Sequence, residues 1–419
     1  MKVLLLNQCF YPDVAATGKY LSDVAARLAQ EGHKVTVLAS RRGYDDPEQR
    51  FPARETWRGV KIIRIPTLGL GKAAKWRRAL DFASFSLFCL ARLLFLPRQD
   101  LTVALTSPPL ISFFGALFAR LRGGRFCFWV MDLNPDEAVA AGWLKENSLI
   151  ARVLQVFLKY SLKHSDKIIV LDRFMLERIV RKGVPVERVA VLPPWSHDEE
   201  IVYDEAGRAA FRAQHGLTNK FVVMYSGNHS PCHPLDTLLE AARNLRQQTE
   251  IAFCFVGGGS EFQKVRHFAA EHALANVLCL PYQQLDGLAG SLSAADLHVV
   301  VMGDAFKGLV HPCKVYNIVA IGAPFLYIGP PESHVADLIQ SAANGLNARS
   351  SAHGAVAEVV AHIQSAAVIG PLRNNGAGQL SESFAQRTLL PRLVTLLEQI
   401  AASRLSRSAQ AAEAQTRRV

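Results

Sequence analysis

The chain has 419 residues, half of them hydrophobic and a fifth charged. That length suggests two or three domains, and that composition excludes a disordered, collagen-like or low-complexity chain, because there is ample apolar surface to bury. The net charge of +11 is uneven: residues 1–200 hold 30 Lys and Arg against 20 Asp and Glu, whereas residues 201–419 hold 17 against 16. A basic first half attracts anionic membrane surfaces, phosphorylated substrates or nucleic acid, the plain alternative being a merely soluble surface. The seven cysteines are scattered and none is spaced as C-x-x-C. Neither a zinc site nor a disulfide framework is indicated, and a reducing, cytoplasmic setting is the natural expectation. Met1-Lys2 is followed by too short an apolar run for a secretory signal. The longest apolar stretch, Phe82 to Leu96, contains Arg92 and falls short of the ~20 residues a membrane span needs.

Lys2 to Leu6 is a short apolar run. A helical pattern from Tyr20 to Ala29 follows, stopped by Gly32, and Lys34 to Leu38 is a second strand. Strand, helix, strand at this spacing predicts a βαβ unit and a parallel sheet. Further strands are predicted at Val60–Ile65, Thr102–Leu105, Phe126–Val130, Lys167–Leu171 and Val189–Leu192, with helices between. Pro193-Pro194-Trp195 and the acidic residues Asp198 to Glu200 break the pattern. A second series begins at Phe221–Tyr225 and continues through a helix at Thr237–Leu245. Strands at Ile251–Val256, Val277–Leu280 and Leu297–Val301 follow, then a helix at Cys313–Ile321 and a strand at Phe325–Ile328. The predicted architecture is α/β, two tandem Rossmann-like doubly wound parallel sheets over 1–197 and 198–388. An amphipathic helix at 389–402 and a disordered tail at 403–419, rich in Ala, Ser, Gln and Arg, complete the chain.

In open α/β sheets, ligands bind at the carboxyl ends of strands, so the loops there are the candidates. The first, Phe10 to Lys19, has small residues and Gly18 ahead of a helix, but it is not G-x-G-x-x-G, which argues against a dinucleotide there. The second, Ser226-Gly227-Asn228-His229, allows close approach at Gly227, and His229 and His233 are expected to donate to phosphate. Metal binding by these histidines with Cys232 is not expected, because the ligand set is incomplete. The third is Gly257-Gly258-Gly259, expected to press its backbone against a flat ligand. The fourth, Gly303 to Asn317, has Lys307 and Lys314 flanking a histidine and a glycine ahead of a helix. Lysine in a first helical turn opposes the helix dipole, and such local conflicts mark sites.

Several of these segments together resemble a glycosyltransferase of the group 1 (family 4) type with the two-domain GT-B fold. The branch is that of colanic-acid, exopolysaccharide or O-antigen biosynthesis, and the likeness runs over roughly residues 1–400. The segments are Tyr11-Pro12-Asp13 with Thr17-Gly18, Ser107-Pro108-Pro109, Asp132-Leu133-Asn134-Pro135 and Tyr225 to Asn228. Pro312-Cys313-Lys314 and Ala320-Ile321-Gly322-Ala323-Pro324 complete the set. Two departures stand out. Of the family's two glutamates eight positions apart, the first falls on Leu309 and the second on Asn317, and the usual diphosphate-gripping lysine and following glycine fall on His233 and Pro234.

The resemblance implies a nucleotide-sugar donor in the second half, retention of anomeric configuration, and neither an essential metal nor a cofactor. The base would sit near Gly257–Gly259 and Tyr282, the ribose near Asn317, and the diphosphate against Lys314 and the Gly227-Asn228 amides. Asp132 would take the acceptor hydroxyl's proton or fix the acceptor sugar. The acceptor is expected to be lipid-linked. Lys72, Lys75, Arg77 and Arg78 cluster around Trp76 just ahead of Phe82 and Phe85, which suits peripheral contact with the anionic inner face of the cytoplasmic membrane. The bland alternative is a core helix with a basic flank. A nucleotide-sugar 2-epimerase of the same fold and a non-catalytic relative stay open. No nucleic-acid recognition motif is present.

Overall fold

The computed structural model describes residues 1–416 except 14, 44–45, 47, 71–74, 198–199, 342–345 and 371–377. For 75, 78, 285, 378–379 and 404–416 it describes backbone alone. The chain divides into two compact units, Met1–Pro193 with Leu390–Val419, and Pro194–Leu389.

The N-terminal unit is built on strands β1 (Lys2–Leu6), β2 (Lys34–Ser40), β3 (Arg54–Trp57), β4 (Val60–Ile65), β5 (Leu101–Ala104), β6 (Arg125–Trp129), β7 (Lys167–Val170) and β8 (Val189–Val191). They form one sheet in the order β3-β4-β2-β1-β5-β6-β7-β8, parallel except for β3, which pairs antiparallel with β4 at the edge. Its helices are α1 (Ala16–Gln30), α2 (Lys75–Leu94), α3 (Ile111–Arg122), α4 (Asp136–Ala140), α5 (Leu149–His164) and α6 (Arg173–Arg181). Right-handed crossovers put α2, α3 and α5 on one face, because β4→β5, β5→β6 and β6→β7 all step the same way across the sheet.

The second unit has α7 (Glu205–Gln214), β9 (Phe221–Asn228), α8 (Asp236–Asn244), β10 (Ile251–Gly258), α9 (Phe262–Glu271), β11 (Val277–Leu280), α10 (Leu285–Ser293), β12 (Leu297–Val301), α11 (Lys314–Ala320), β13 (Phe325–Ile328), α12 (His334–Ser341), β14 (Ala348–Ser351), α13 (Val356–Ile369) and α14 (Gly378–Phe384). Its sheet runs β11-β10-β9-β12-β13-β14, parallel throughout. The central strands are buried on both faces: Val223 and Tyr225 pack with Phe253 and Phe255 on one side, Val222 and Met224 with Cys254 on the other. That is why they read as continuous apolar runs. Strand order reverses direction between β9 and β12, so the crevice at their carboxyl ends is the topological switch point.

The last helix, α15, runs Gln386–Thr416, taking in the helix expected at 389–402, and residues 417–419 of the expected tail lie outside the described residues. Ala, Gln, Arg and Glu are strong helix formers and extend it without a large apolar face. His33, in the turn between α1 and β2, bonds Glu398 of α15 at 2.7 Å. Among the described residues, no helix is long and apolar enough to cross a membrane.

Candidate functional site

At the switch point of the second unit, β9 ends in Tyr225-Ser226-Gly227-Asn228. Its loop is pinned to the end of β12 by the Gly303 N–H donating to Cys232 O at 2.9 Å. Lys314, at the start of α11, reaches back to this loop. Its ammonium nitrogen lies 3.6 Å from the centre of the Tyr225 ring, sealed from solvent and, among the described residues, without a hydrogen-bond partner. Burial pulls its pKa down from 10.5 to about 7. A Cβ added at Gly227 would stand 3.1 Å from that nitrogen, so glycine keeps open the space the cation faces. A buried ammonium held only by an aromatic face is under-satisfied by two or three hydrogen bonds, which an anion with several acceptor oxygens would supply. Tyr225 itself is anchored by its hydroxyl donating to Asn228 O at 2.7 Å. Its role was not legible in the sequence, because Lys314 lies 89 positions away.

The histidines correct an expectation. His229 places Nδ1 at 3.0 Å from Gly227 O, and His233 places Nδ1 at 2.7 Å from Val301 O. A carbonyl only accepts, so in each ring Nδ1 carries the proton and Nε2 is an acceptor. Burial first and the Lys314 charge second hold His229 down to about 4 and His233 to about 3. Both are neutral at pH 7 and do not donate to phosphate through Nε2. The family lysine position, occupied by His233, thus supplies no positive charge.

The glycine run presses against protein. A Cβ on Gly257, which has φ +134°, would lie 2.1 Å from Gly227 O. One on Gly259 would lie 2.3 Å from His229 O, and one on Gly258 would lie 2.9 Å from the Tyr282 ring. Tyr282 also donates to Gly258 O at 3.3 Å, and nearly half its surface is exposed. The run therefore packs β10 against the β9 loop and seats Tyr282, leaving the outer face of the Tyr282 ring for a ligand. Asn317, one turn after Lys314, accepts from His197 N at 3.3 Å. Leu309 is core. Lys307 is ion-paired with Glu332.

The remaining candidates lie in the N-terminal unit. Gly18 is packed against Cys9 and Phe10, with only 3.2 Å to spare for a Cβ, which explains the glycine structurally. Asp132 follows β6 and is half-buried. Burial, then the charge of Glu137, holds its carboxyl well above the usual range, the direction that strengthens a carboxylate base. Lys72 lies outside the described residues, as do the side chains of Lys75 and Arg78. Trp76 and Arg77 are exposed, with the guanidinium 5.4 Å from the indole centre. Phe85 is fully buried and Phe82 partly so. The expectation that Phe85 faces a membrane is corrected: α2 turns it into the core and exposes Leu80, Leu87, Phe88 and Leu94 instead.

Two Rossmann-like units in one chain, with a buried cation at the switch point of the second, are the GT-B arrangement. Residues 16–195 match the glycosyl transferase 4-like domain and residues 207–375 the glycosyl transferases group 1 domain, and the chain belongs to that family of enzymes. It is 27% identical over 336 residues to the Escherichia coli (strain K12) protein WcaI, named for glycosyl transfer in colanic acid biosynthesis, covering 77% of this chain and 82% of that protein. Among solved structures it is similar to Anabaena HepE in complex with UDP-glucose (TM-score 0.68, 16% identity, 97% of this chain and 99% of that one). It is also similar to WaaG, a glycosyltransferase involved in lipopolysaccharide biosynthesis (TM-score 0.70, 16% identity, 94% and 99%).

Proposed function

We propose that the protein transfers a sugar, with retention, from a nucleotide-sugar to a lipid-linked acceptor in surface polysaccharide assembly, peripherally at the inner face of the cytoplasmic membrane. The observation that carries the donor half is the Lys314 ammonium, buried without a hydrogen bond and facing Gly227. In the transfer the anomeric carbon breaks its bond to the diphosphate oxygen and forms one to the acceptor oxygen. Negative charge grows on the departing diphosphate, where Lys314 and the N–H groups of the β9 loop meet it without calling on a metal. The acceptor hydroxyl's proton goes to the leaving phosphate oxygen or to Asp132, whose environment favours holding a proton. The names of WcaI and WaaG and the UDP-glucose bound by HepE support the polysaccharide role and the donor class. For the acceptor side, the support is the apolar, basic surface of α2.

The test is a panel of nucleotide-sugars offered with a membrane fraction in excess chelator. Expected is a labelled sugar moved into the lipid extract. Epimerised nucleotide-sugar as the only product, or no turnover with any donor, would sink the proposal.

Donor affinity carries a pH signature. The diphosphate of a nucleotide-sugar is esterified at both ends and does not titrate near neutrality. Free Lys314 loses its proton above about pH 7, whereas a bound diphosphate holds the charged form and raises the pKa. Binding above that point takes up a proton, so affinity should be flat below pH 7 and fall by ~10-fold or more between about pH 7 and 9. Calorimetric titration in buffers of differing ionisation heat reads both the fall and the proton. A pH-independent affinity would show that Lys314 does not meet the diphosphate.

A further inference from the structure

The sequence singled out only α2 as a membrane-facing segment, but the exposed apolar surface does not stop there. On α2, Trp76, Leu80, Leu87 and Leu94 recur at helical intervals on the solvent side, a stripe of about 30 Å. At its lower end Phe95, 79% exposed, and Leu121 of α3, 69% exposed, lie where Arg122 donates to Leu94 O. On α5 a second stripe stands out: Leu149 is 77% exposed and Ile150 63%, followed by Val153 and Val156. The α5 helix is fixed in this orientation. Ser148 caps it by accepting from Ala151 N at 3.2 Å, its opposite face is buried through Ala151, Leu158 and Leu162, and its flank packs onto α3 through Phe157 against Phe113 at 4.5 Å and Ser161 against Ser112 at 3.0 Å. Each α2–α3 and α3–α5 spacing is that of packed helices, so the two stripes run side by side about 20 Å apart.

We infer that α5, through Leu149, Ile150, Val153 and Val156, forms with α2 a two-line docking surface for an anionic lipid bilayer. Charge chooses the occupant. Helices α2, α3 and α5 together carry nine Lys and Arg and one carboxylate, Asp81, and Asp81 accepts from Leu70 N at 2.9 Å. On α5 the basic residues Arg152, Lys159 and Lys163 are exposed beside the apolar ones. A second copy of the same face would set like charges against like, whereas an anionic surface neutralises them. Shape agrees: apolar side chains project into solvent from α2 and α5, with Leu121 at the end of α3, as suits insertion between headgroups. Two lines fix the unit's rotation about α2, which a single helix would leave free. The carboxyl ends of β5 and β6, which lead into α3 and, by way of α4, into α5, would then keep a set height above the lipid, as a lipid-linked acceptor requires. The inference rests on the proposed membrane reading of α2.

Sedimentation with phosphatidylcholine vesicles, with and without phosphatidylglycerol, tests it on the full chain. One variant is Leu149→Gln, Ile150→Gln, Val153→Gln and Val156→Gln; a second replaces Trp76, Leu87 and Leu94 with Gln. These side chains are exposed, so melting temperature and nucleotide-sugar affinity should match wild type and serve as fold controls. Each variant is expected to lower partitioning onto anionic vesicles by about tenfold or more. A third variant, Arg152→Gln with Lys159→Gln and Lys163→Gln, should flatten the salt dependence. If the α2 variant is released while the α5 variant pellets like wild type, the second line is wrong and the α2 reading stands. If wild type does not pellet, both are wrong. If wild type is a dimer in light scattering and the α5 variant a monomer, the face belongs to a second copy and the inference is overturned.

Discussion

Lys314→Ala is expected to lower turnover by ~10²- to 10³-fold, the cost of removing one preorganised charge from a developing anion. The melting temperature at pH 7 should stay the same or rise. The sign follows from the free protein. Folding lowers the lysine's pKa from 10.5 to about 7, so the folded state resists the charged form. That destabilisation is fully present below about pH 7 and vanishes above the unfolded value. Removing the amine removes the destabilisation, at the cost of its contact with the Tyr225 ring and the space left beside it. Lys314→Met, which fills that space, should be at least as stable as wild type and equally inactive. Lys314→Arg should not rescue, because a planar guanidinium needs more room than the Tyr225 face and Gly227 leave. Steady-state turnover and a thermal melt on the same preparations check this. A variant with wild-type rate would remove Lys314 from the site, and one that melts far below wild type would make it structural.

How much of this was visible in the sequence depends on how far each effect reaches along the chain. The parallel strands were legible because burial on both faces gives apolar runs such as Val222-Val223-Met224-Tyr225. The edge strands β3, Arg-Glu-Thr-Trp, and β14, Ala-Arg-Ser-Ser, were not, since an edge strand needs no continuous apolar sequence. Lys314 announced itself by breaking a local rule at a helix start. The protonation of His229 and His233 could not be read, because for His233 it is set by the Val301 carbonyl, 68 residues away. On α2 the exposed phase was mistaken at Phe85 for a similar reason. A helix with large apolar residues around most of its circumference does not declare which ones the sheet covers, and only packing distinguishes buried Phe85 from exposed Phe88.

The second unit also contains a buried charge of the opposite kind, and Asp296→Ala should expose the difference. Asp296 precedes β12, at the end of the sheet away from Lys314. It accepts from Arg208 Nη2 at 2.6 Å, from Arg212 Nη1 at 3.0 Å and from Val222 N at 2.8 Å. Its side chain is 4% exposed and that of Arg212 8%. These bonds tie α7 to the starts of β9 and β12. Alanine would strand the Arg212 guanidinium and the Val222 N–H out of water, at a cost of ~3–5 kcal/mol. For a unit of this size that lowers the melting temperature by roughly 10 °C. Asp296→Asn keeps acceptors for Val222 and one arginine and should lose less. Asp296→Leu paired with Arg212→Met should recover part of the loss, because the deeply buried Arg212 charge goes with its partner and Arg208 keeps the Ser293 and Ala295 carbonyls. The fraction still folded should bind nucleotide-sugar with wild-type affinity, since the substitution touches the amino ends of the strands and the donor would occupy the carboxyl ends. Differential scanning calorimetry and a titration on the same variants separate the two. A melting temperature within a degree or so of wild type for Asp296→Ala would show that the network is not what holds α7 to the sheet.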